Sequence, residues 1–205
     1  RTFVTWYNDQ GQAIDNYSFA DLWEEAGIVA YHLRAKWNLS KGDRVVLCYS
    51  FGLQFFASFI GCIRAGVTAV LVYSPSMPLT TSLPKMLKVV DNCSAKLILI
   101  DSKIQTLKFF DKANFASKSR HLWPRIDFKV HNFKSEGRTR DESLSFDDLS
   151  LSESDLAFLQ YTSGSTGDPK GVMVTYGALE ANVKVIIKVI LKGHNIEGDI
   201  PPEEA

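Results

Sequence analysis

Apolar and polar positions repeat along this chain with two different periods, and the switches between them mark its elements. Ser18, with Asp21 three residues on, has the form of a capping box at a helix start. Leu22, Ala26, Ala30, Leu33 and Trp37 then recur on one face of an amphipathic helix. Lys41-Gly42-Asp43 turns the chain into the apolar run 44–49, which predicts a strand. A second helix is expected over about 53–65, stopping near Gly66 as helices commonly stop at glycine. A strand at 68–72, a Pro/Ser loop at 74–82 and a third helix near 83–92 come next. The pattern continues with a strand at 96–100 and a helix around 104–116.

Short apolar β-runs alternating with helices imply an α/β fold with mostly parallel strands buried on both faces. Residues from about 134 to 154 turn polar, and the acidic cluster Asp147, Asp148, Glu153 and Asp155 lies there or just beyond. A solvated connector is the expected reading, ahead of an acid/base or metal site. Two more apolar runs, 156–161 and 172–174, read as strands. Thr175 can then cap a helix to about residue 191, with Leu179, Val183, Ile187 and Ile190 on its buried face. No internal repeat is visible.

Residues 55–72 are about as long as a membrane span and carry one charge, Arg64. Arg64 and Gly66 split the segment into a helical half and a β-like half, so two buried elements joined by a turn explain it better than a transmembrane helix. Apolar residues make up 45% of the 205, enough for a packed core. Lys+Arg and Asp+Glu are both 23, so the net charge is zero, which weighs against nucleic acid or an anionic membrane as the main partner.

Cys48, Cys62 and Cys93 sit far apart in apolar segments, which argues against a disulfide framework or a zinc site and favours buried, reduced thiols. That usage, together with an Arg1-Thr2-Phe3 start lacking a signal-peptide pattern, suggests a cytoplasmic setting. His32, His121, His131 and His194 are equally scattered and are expected to be surface or structural groups.

Thr162, Ser163, Gly164, Ser165, Thr166, Gly167, Asp168, Pro169, Lys170 and Gly171 form the densest chemistry in the chain. Glycines let a backbone approach a bulky anion, hydroxyls donate hydrogen bonds to it, and Lys170 adds a positive charge. A flexible Gly/Ser connector would need neither a lysine nor two flanking strands. The spacing is not that of a P-loop, because Pro169 stands five residues after Gly164 and Gly171 follows Lys170. Nor is it a dinucleotide fingerprint, since the third glycine is missing and a strand follows rather than a helix. The expected ligand is phosphate.

This string resembles the phosphate-binding signature of adenylate-forming enzymes: acyl-CoA synthetases, peptide-synthetase adenylation domains, luciferases and fatty acyl-AMP ligases. Gly42-Asp43-Arg44-Val45-Val46-Leu47, followed by Phe51-Gly52-Leu53-Gln54-Phe55, resembles the strand–helix unit near the start of such domains. Phe59-Ile60-Gly61-Cys62, Ala65-Gly66, Ala69-Val70 and Phe158-Leu159-Gln160-Tyr161 are most similar to the fatty acyl-AMP ligases. Two departures stand out. Ser74-Pro75 replaces a usual Pro-Pro pair after Tyr73, and Tyr176 stands where a His is usual.

The resemblance implies the N-terminal portion, 1–205, of the large domain, with an incomplete sheet and the small C-terminal domain absent. It implies ATP-dependent conversion of a fatty acid to an acyl-adenylate with release of pyrophosphate, then transfer to the phosphopantetheine thiol of an acyl carrier protein or a polyketide or peptide synthase module. Ser163, Ser165 and Thr166, with N–H groups around Gly164 and Gly167, would grip the β- and γ-phosphates, and Lys170 would add charge. Mg²⁺ would enter with the triphosphate. The family's adenine-contacting aromatic motif, ribose-binding aspartate and catalytic lysine have no counterpart here, so no catalytic residue is expected within 1–205, and the tail 198–205 matches nothing. An acyl-CoA synthetase, a peptide-synthetase adenylation domain and a truncated non-catalytic nucleotide- or partner-binding protein remain alternatives.

Overall fold

A computed structural model describes residues 1–50, 52–131, 149–162 and 169–194. Its centre is a six-stranded sheet in the order β6-β5-β3-β4-β7-β8. The strands are β3 (Arg44–Cys48), β4 (Thr68–Leu71), β5 (Leu97–Ile100), β6 (Asp127–Val130), β7 (Leu156–Thr162) and β8 (Lys170–Thr175). All neighbours run parallel except β7 and β8, which form an antiparallel hairpin. The mixed α/β architecture with a mostly parallel sheet therefore holds as expected.

Both faces of the sheet are covered over β3, β4 and β5, which is why β3 and β5 read as unbroken apolar runs. Val45, Leu47, Ala69, Leu97 and Leu99 face a layer built by α1 (Phe19–Tyr31) and α2 (Leu53–Arg64). Val46, Cys48, Val70, Ile98 and Ile100 face α3 (Leu79–Cys93) and α4 (Ser102–Ala113). Ser18 caps α1 through the capping box with Asp21, as the spacing predicts. Gly66, at φ +65°, ends α2 in the left-handed region that favours glycine.

Several boundaries differ from expectation, each for a local reason. A hairpin of β1 (Thr2–Tyr7) and β2 (Ala13–Ser18), unpredicted, precedes the first helix. The helix expected to run on to Trp37 changes at His32 into a π-helical turn, His32–Lys36, closed by Trp37 N–H donating to the His32 carbonyl at 2.8 Å. α3 starts at Leu79, inside the expected Pro/Ser loop. Leu79 and Leu83 are buried, and Pro84 lies early enough in the helix to leave only the Thr80 carbonyl without its usual donor. α4 ends at Ala113 because Asn114 folds back, its side chain accepting from the Ala116 N–H at 3.0 Å.

The last helix, α5 (Tyr176–His194), is capped by Thr175, whose hydroxyl accepts from Ala178 N–H at 3.2 Å. Its expected buried face is a correction. Val183 and Ile187 are 43% and 42% exposed, Leu179 is only partly buried, and the side chain of Ile190 lies outside the described residues. Apolar periodicity reports that a face wants burial, not what buries it.

Most of the polar stretch 134–154, with Asp147 and Asp148, also lies outside the described residues. Its end is docked rather than simply solvated. Lys41 Nζ donates to the Ser150 carbonyl at 2.7 Å and pairs with Asp155 at 2.6 Å. Those hydrogen bonds, from Lys41 first and the Ser152 backbone next, hold the Asp155 carboxyl below its usual range. No described helix is long and apolar enough to cross a membrane.

Candidate functional site

In an open α/β sheet, ligands settle at the carboxyl ends of the strands, where adjacent strands send their connections to opposite faces. That condition is met between β3, which leads to α2 on one face, and β4, which leads to α3 on the other. β7 lies beside β4 in parallel, with Leu71 opposite Gln160, so the chain leaving β7 emerges at the same edge.

The candidate phosphate loop spans the β7–β8 turn. Thr162, at the end of β7, is the cross-strand partner of Lys170, the first residue of β8, and both are exposed. Directly opposed residues of an antiparallel pair project on the same face, so a hydroxyl and an ammonium stand side by side at the loop's base. Ser163, Gly164, Ser165, Thr166 and Gly167 lie outside the described residues.

Gly171 has a structural role of its own. It faces Tyr161, and a Cβ built on it would lie 2.9 Å from the Tyr161 Cζ. The ring can cross that strand only because no side chain is there, and its hydroxyl then donates to Asn92 Oδ1 at 2.5 Å, at the end of α3. Burial, with Cys93 adding, pushes the Tyr161 hydroxyl above its ordinary range. Tyr161 thus ties the base of the loop to α3. Asn92 carried no signal in the sequence beyond its place at a helix end.

The other strand ends are pinned by groups that sequence reasoning missed or left unassigned. Buried Asp101, just past β5, accepts from the Ser50 N–H at 2.6 Å and from the Ile104 N–H at 2.8 Å, so one carboxylate caps α4 and holds the end of β3. His131, just past β6 and fully buried, has Nε2 2.8 Å from Glu25 Oε1. Its Nδ1 is 2.8 Å from Ser58 Oγ and 3.2 Å from the Tyr49 hydroxyl. Tyr17 donates to the second oxygen of Glu25. His131 is thus buried with hydrogen-bond partners at both ring nitrogens.

Tyr73, two residues past the end of β4, is 90% exposed. Tyr176, where a His is usual, donates its hydroxyl to the Ile63 carbonyl at 2.9 Å, and burial pushes its pKa up to about 12. It closes the end of α2. Cys48, Cys62 and Cys93 are free and buried, as expected, and burial pushes the Cys48 thiol up to about 12. Among the described residues no group of three or more acidic, His or Cys side chains could hold a metal ion. The base of the loop, a hydroxyl beside an ammonium, suits an anion instead.

Comparison with known proteins decides the family, since residues 1–198 match the AMP-binding enzyme family. The chain belongs to that family. One relative, a medium-chain-fatty-acid–[acyl-carrier-protein] ligase of Moorena producens, is 32% identical over 80% of this chain and 26% of its own length. A long-chain-fatty-acid–AMP ligase of Mycolicibacterium smegmatis is 32% identical over 77% and 23%. A fatty acyl-adenylate ligase of Legionella pneumophila, crystallised with acyl adenylate and pyrophosphate, superposes with a TM-score of 0.71 at 29% identity, over 89% of this chain and 29% of that one. The chain thus spans about a quarter of the length of the two curated ligases. Within the AMP-binding family, the fold matches the N-terminal part of the adenylate-forming enzymes.

Proposed function

We propose that this chain is the N-terminal portion of a fatty acyl-AMP ligase and supplies its pyrophosphate-side grip. The observation that carries the reading is the β7–β8 hairpin. It sets Thr162 against Lys170 at the carboxyl edge of the sheet, with the hydroxyl- and glycine-rich residues between them. In the reaction a fatty-acid carboxylate oxygen attacks the α-phosphorus of ATP, the bond from that phosphorus to the bridging oxygen breaks, and pyrophosphate leaves. Charge grows on the departing oxygens, so donors and a cation fixed there stabilise the transition state.

Ser163, Ser165 and Thr166, with the N–H groups of Gly164 and Gly167, bind the β- and γ-phosphates in this proposal. Lys170 meets the charge as it develops, and Mg²⁺ arrives bound to the triphosphate. The acyl group then passes to a carrier-protein thiol, in keeping with the carrier-protein ligase among the relatives. A CoA acceptor is the second reading, because a long-chain-fatty-acid–CoA ligase of Haemophilus influenzae is 29% identical over 86% of this chain.

Exchange of labelled pyrophosphate into ATP by the full-length protein, with fatty acids or amino acids supplied, tests the activation step. Lys170→Ala is expected to slow exchange by about a hundredfold with the fold unchanged by circular dichroism. Absence of exchange with every fatty acid, or an unimpaired Lys170→Ala variant, would sink the reading. Acyl transfer to coenzyme A in place of carrier protein would replace the acceptor.

A further inference from the structure

The zero net charge of the whole chain conceals a local asymmetry on α4 and the turn after it. Lys103, Lys108, Lys112, Lys118 and Arg120 fall within residues 102–120, against a single carboxylate, Asp111. That carboxylate is taken up by the turn after the helix. It accepts from Ser117 Oγ at 2.5 Å, Ser119 Oγ at 2.6 Å and Trp123 Nε1 at 2.8 Å. Asp101, at the helix start, is buried between Ser50 and Ile104.

The outer face of the helix is not the polar surface that a solvated helix presents. Phe109 and Phe110 are each 66% exposed, with ring centroids 5.6 Å apart, and Phe115 just beyond is 85% exposed. Arg120 sits over the Phe115 ring at 4.7 Å, and Lys108 over Phe128 at 3.3 Å. Burial first, and Lys112 one turn away second, push the Lys108 pKa down to about 8.

We propose that this face, Phe109, Phe110 and Phe115 rimmed by Lys103, Lys112, Lys118 and Arg120, docks on an anionic lipid surface. Phenyl rings settle into the boundary between headgroups and acyl chains. Lysine and arginine stems lie along apolar surface while their heads reach lipid phosphates. α4 has 12 residues, so it lies on a bilayer rather than crossing it. An acidic protein would satisfy the cations but gives adjacent exposed rings no comparable apolar medium. The proposal is independent of acyl activation, because docking is measured without ATP or fatty acid.

The test is co-sedimentation of the full-length protein with vesicles of phosphatidylcholine alone or mixed equally with phosphatidylglycerol. Binding is expected only to the anionic vesicles, and raised salt should weaken it. Lys103→Glu/Lys112→Glu should weaken binding by at least about 25-fold, from roughly fivefold per lysine near a charged surface. Phe109→Ser/Phe110→Ser should abolish it at the same lipid concentration. Both pairs are exposed, so unchanged melting is the control, and the lysine pair tests the idea alone if the serine pair misfolds.

Equal binding to neutral and anionic vesicles, or binding indifferent to both variants, overturns the proposal. So does a patch that instead joins two copies of the protein in solution, or one that retains an acidic carrier protein but no vesicle.

Discussion

Two glycines at the α1–α2 crossing make opposite predictions for one substitution. A Cβ on Gly61 would lie 2.6 Å from both Cβ and Cγ1 of Val29 and 2.9 Å from the Ala26 carbonyl oxygen. Ordinary carbon contacts lie at about 3.5–4.0 Å, so the shortfall is about 1 Å. Neither the Val29 Cβ nor a carbonyl can rotate away, so α1 and α2 must part, and Val29 and Ala26 are fully buried where they meet. Such overpacking costs about 3 kcal/mol. The better helix propensity of alanine returns about 1 kcal/mol, leaving a net loss of about 2 kcal/mol.

The atoms nearest a Cβ on Gly27 would be those of the Arg64 guanidinium, the closest nitrogen 3.0 Å away, and a side-chain end held on Trp23 by one hydrogen bond and its ring can give by a few tenths of an ångström where a backbone carbonyl cannot. Gly27→Ala should therefore be neutral or stabilise slightly. At roughly 2–4 °C per kcal/mol for a chain of this size, Gly61→Ala should melt about 6 °C lower and Gly27→Ala no lower than the parent. Thermal unfolding by circular dichroism reads the difference. Val29→Ala should not rescue Gly61→Ala, because the Cβ that collides stays in place. Equal shifts for the two glycines would refute the close crossing and leave helix propensity as the whole effect.

Three further outcomes are expected. Cys48 is raised from 9.0 to about 12 and Cys62 also lies above its ordinary range, so the unfolded chain releases these protons first. Stability is then intact below about pH 9 and falls as pH rises towards 12, by up to about 1.4 kcal/mol per pH unit for each thiol, which urea titrations at successive pH values will show and Cys48→Ala should lessen. Tyr176→Phe removes the donor to the Ile63 carbonyl and should lower unfolding free energy by about 1 kcal/mol, with unchanged stability counting against that bond. Glu25→Ala removes the acceptor of the Tyr17 hydroxyl and a partner of the His131 Nε2, and should cost about 2 kcal/mol in the same assay, whereas a surface role for Glu25 predicts almost nothing.

The central sheet was readable from the chain because strands buried on both faces leave no room for polar interruptions. Val45 to Cys48 and Leu97 to Ile100 are the plainest cases. Edges were harder. β6 alternates Asp127 and Lys129 with Phe128 and Val130, and a four-residue edge strand is too short to show a period. The β1–β2 hairpin did leave a signal, Thr, Val, Trp and Tyr before a turn of Asn8 to Gln12, where the Asn8 side chain accepts from the Gln10 and Gln12 N–H groups. At the loop, composition identified Thr162 and Lys170 as binding candidates. It could not separate Gly171 from them, because only the position of the Tyr161 ring shows that this glycine answers to packing.

That distinction bears on how the site is built. A loop that presents donors to an anion works only if its two ends are fixed, and the fixtures here are side chains already engaged in hydrogen bonds within the fold. Tyr161 on Gly171 and Asn92 anchors the β7 side of the base to α3. Asp101 ties the end of β3 to the start of α4. Tyr49, whose hydroxyl lies 2.7 Å from Ser58 Oγ, joins β3 to α2 through the pair that His131 also reaches. The buried groups Asp101, Tyr49 and His131 are thus spent on holding strand ends in place, while Thr162 and Lys170, suited to binding an anion, are exposed at the base of the β7–β8 turn. Burial sorts the two sets: a buried hydrogen-bonded group can locate a strand end firmly, and only an exposed one can meet a ligand.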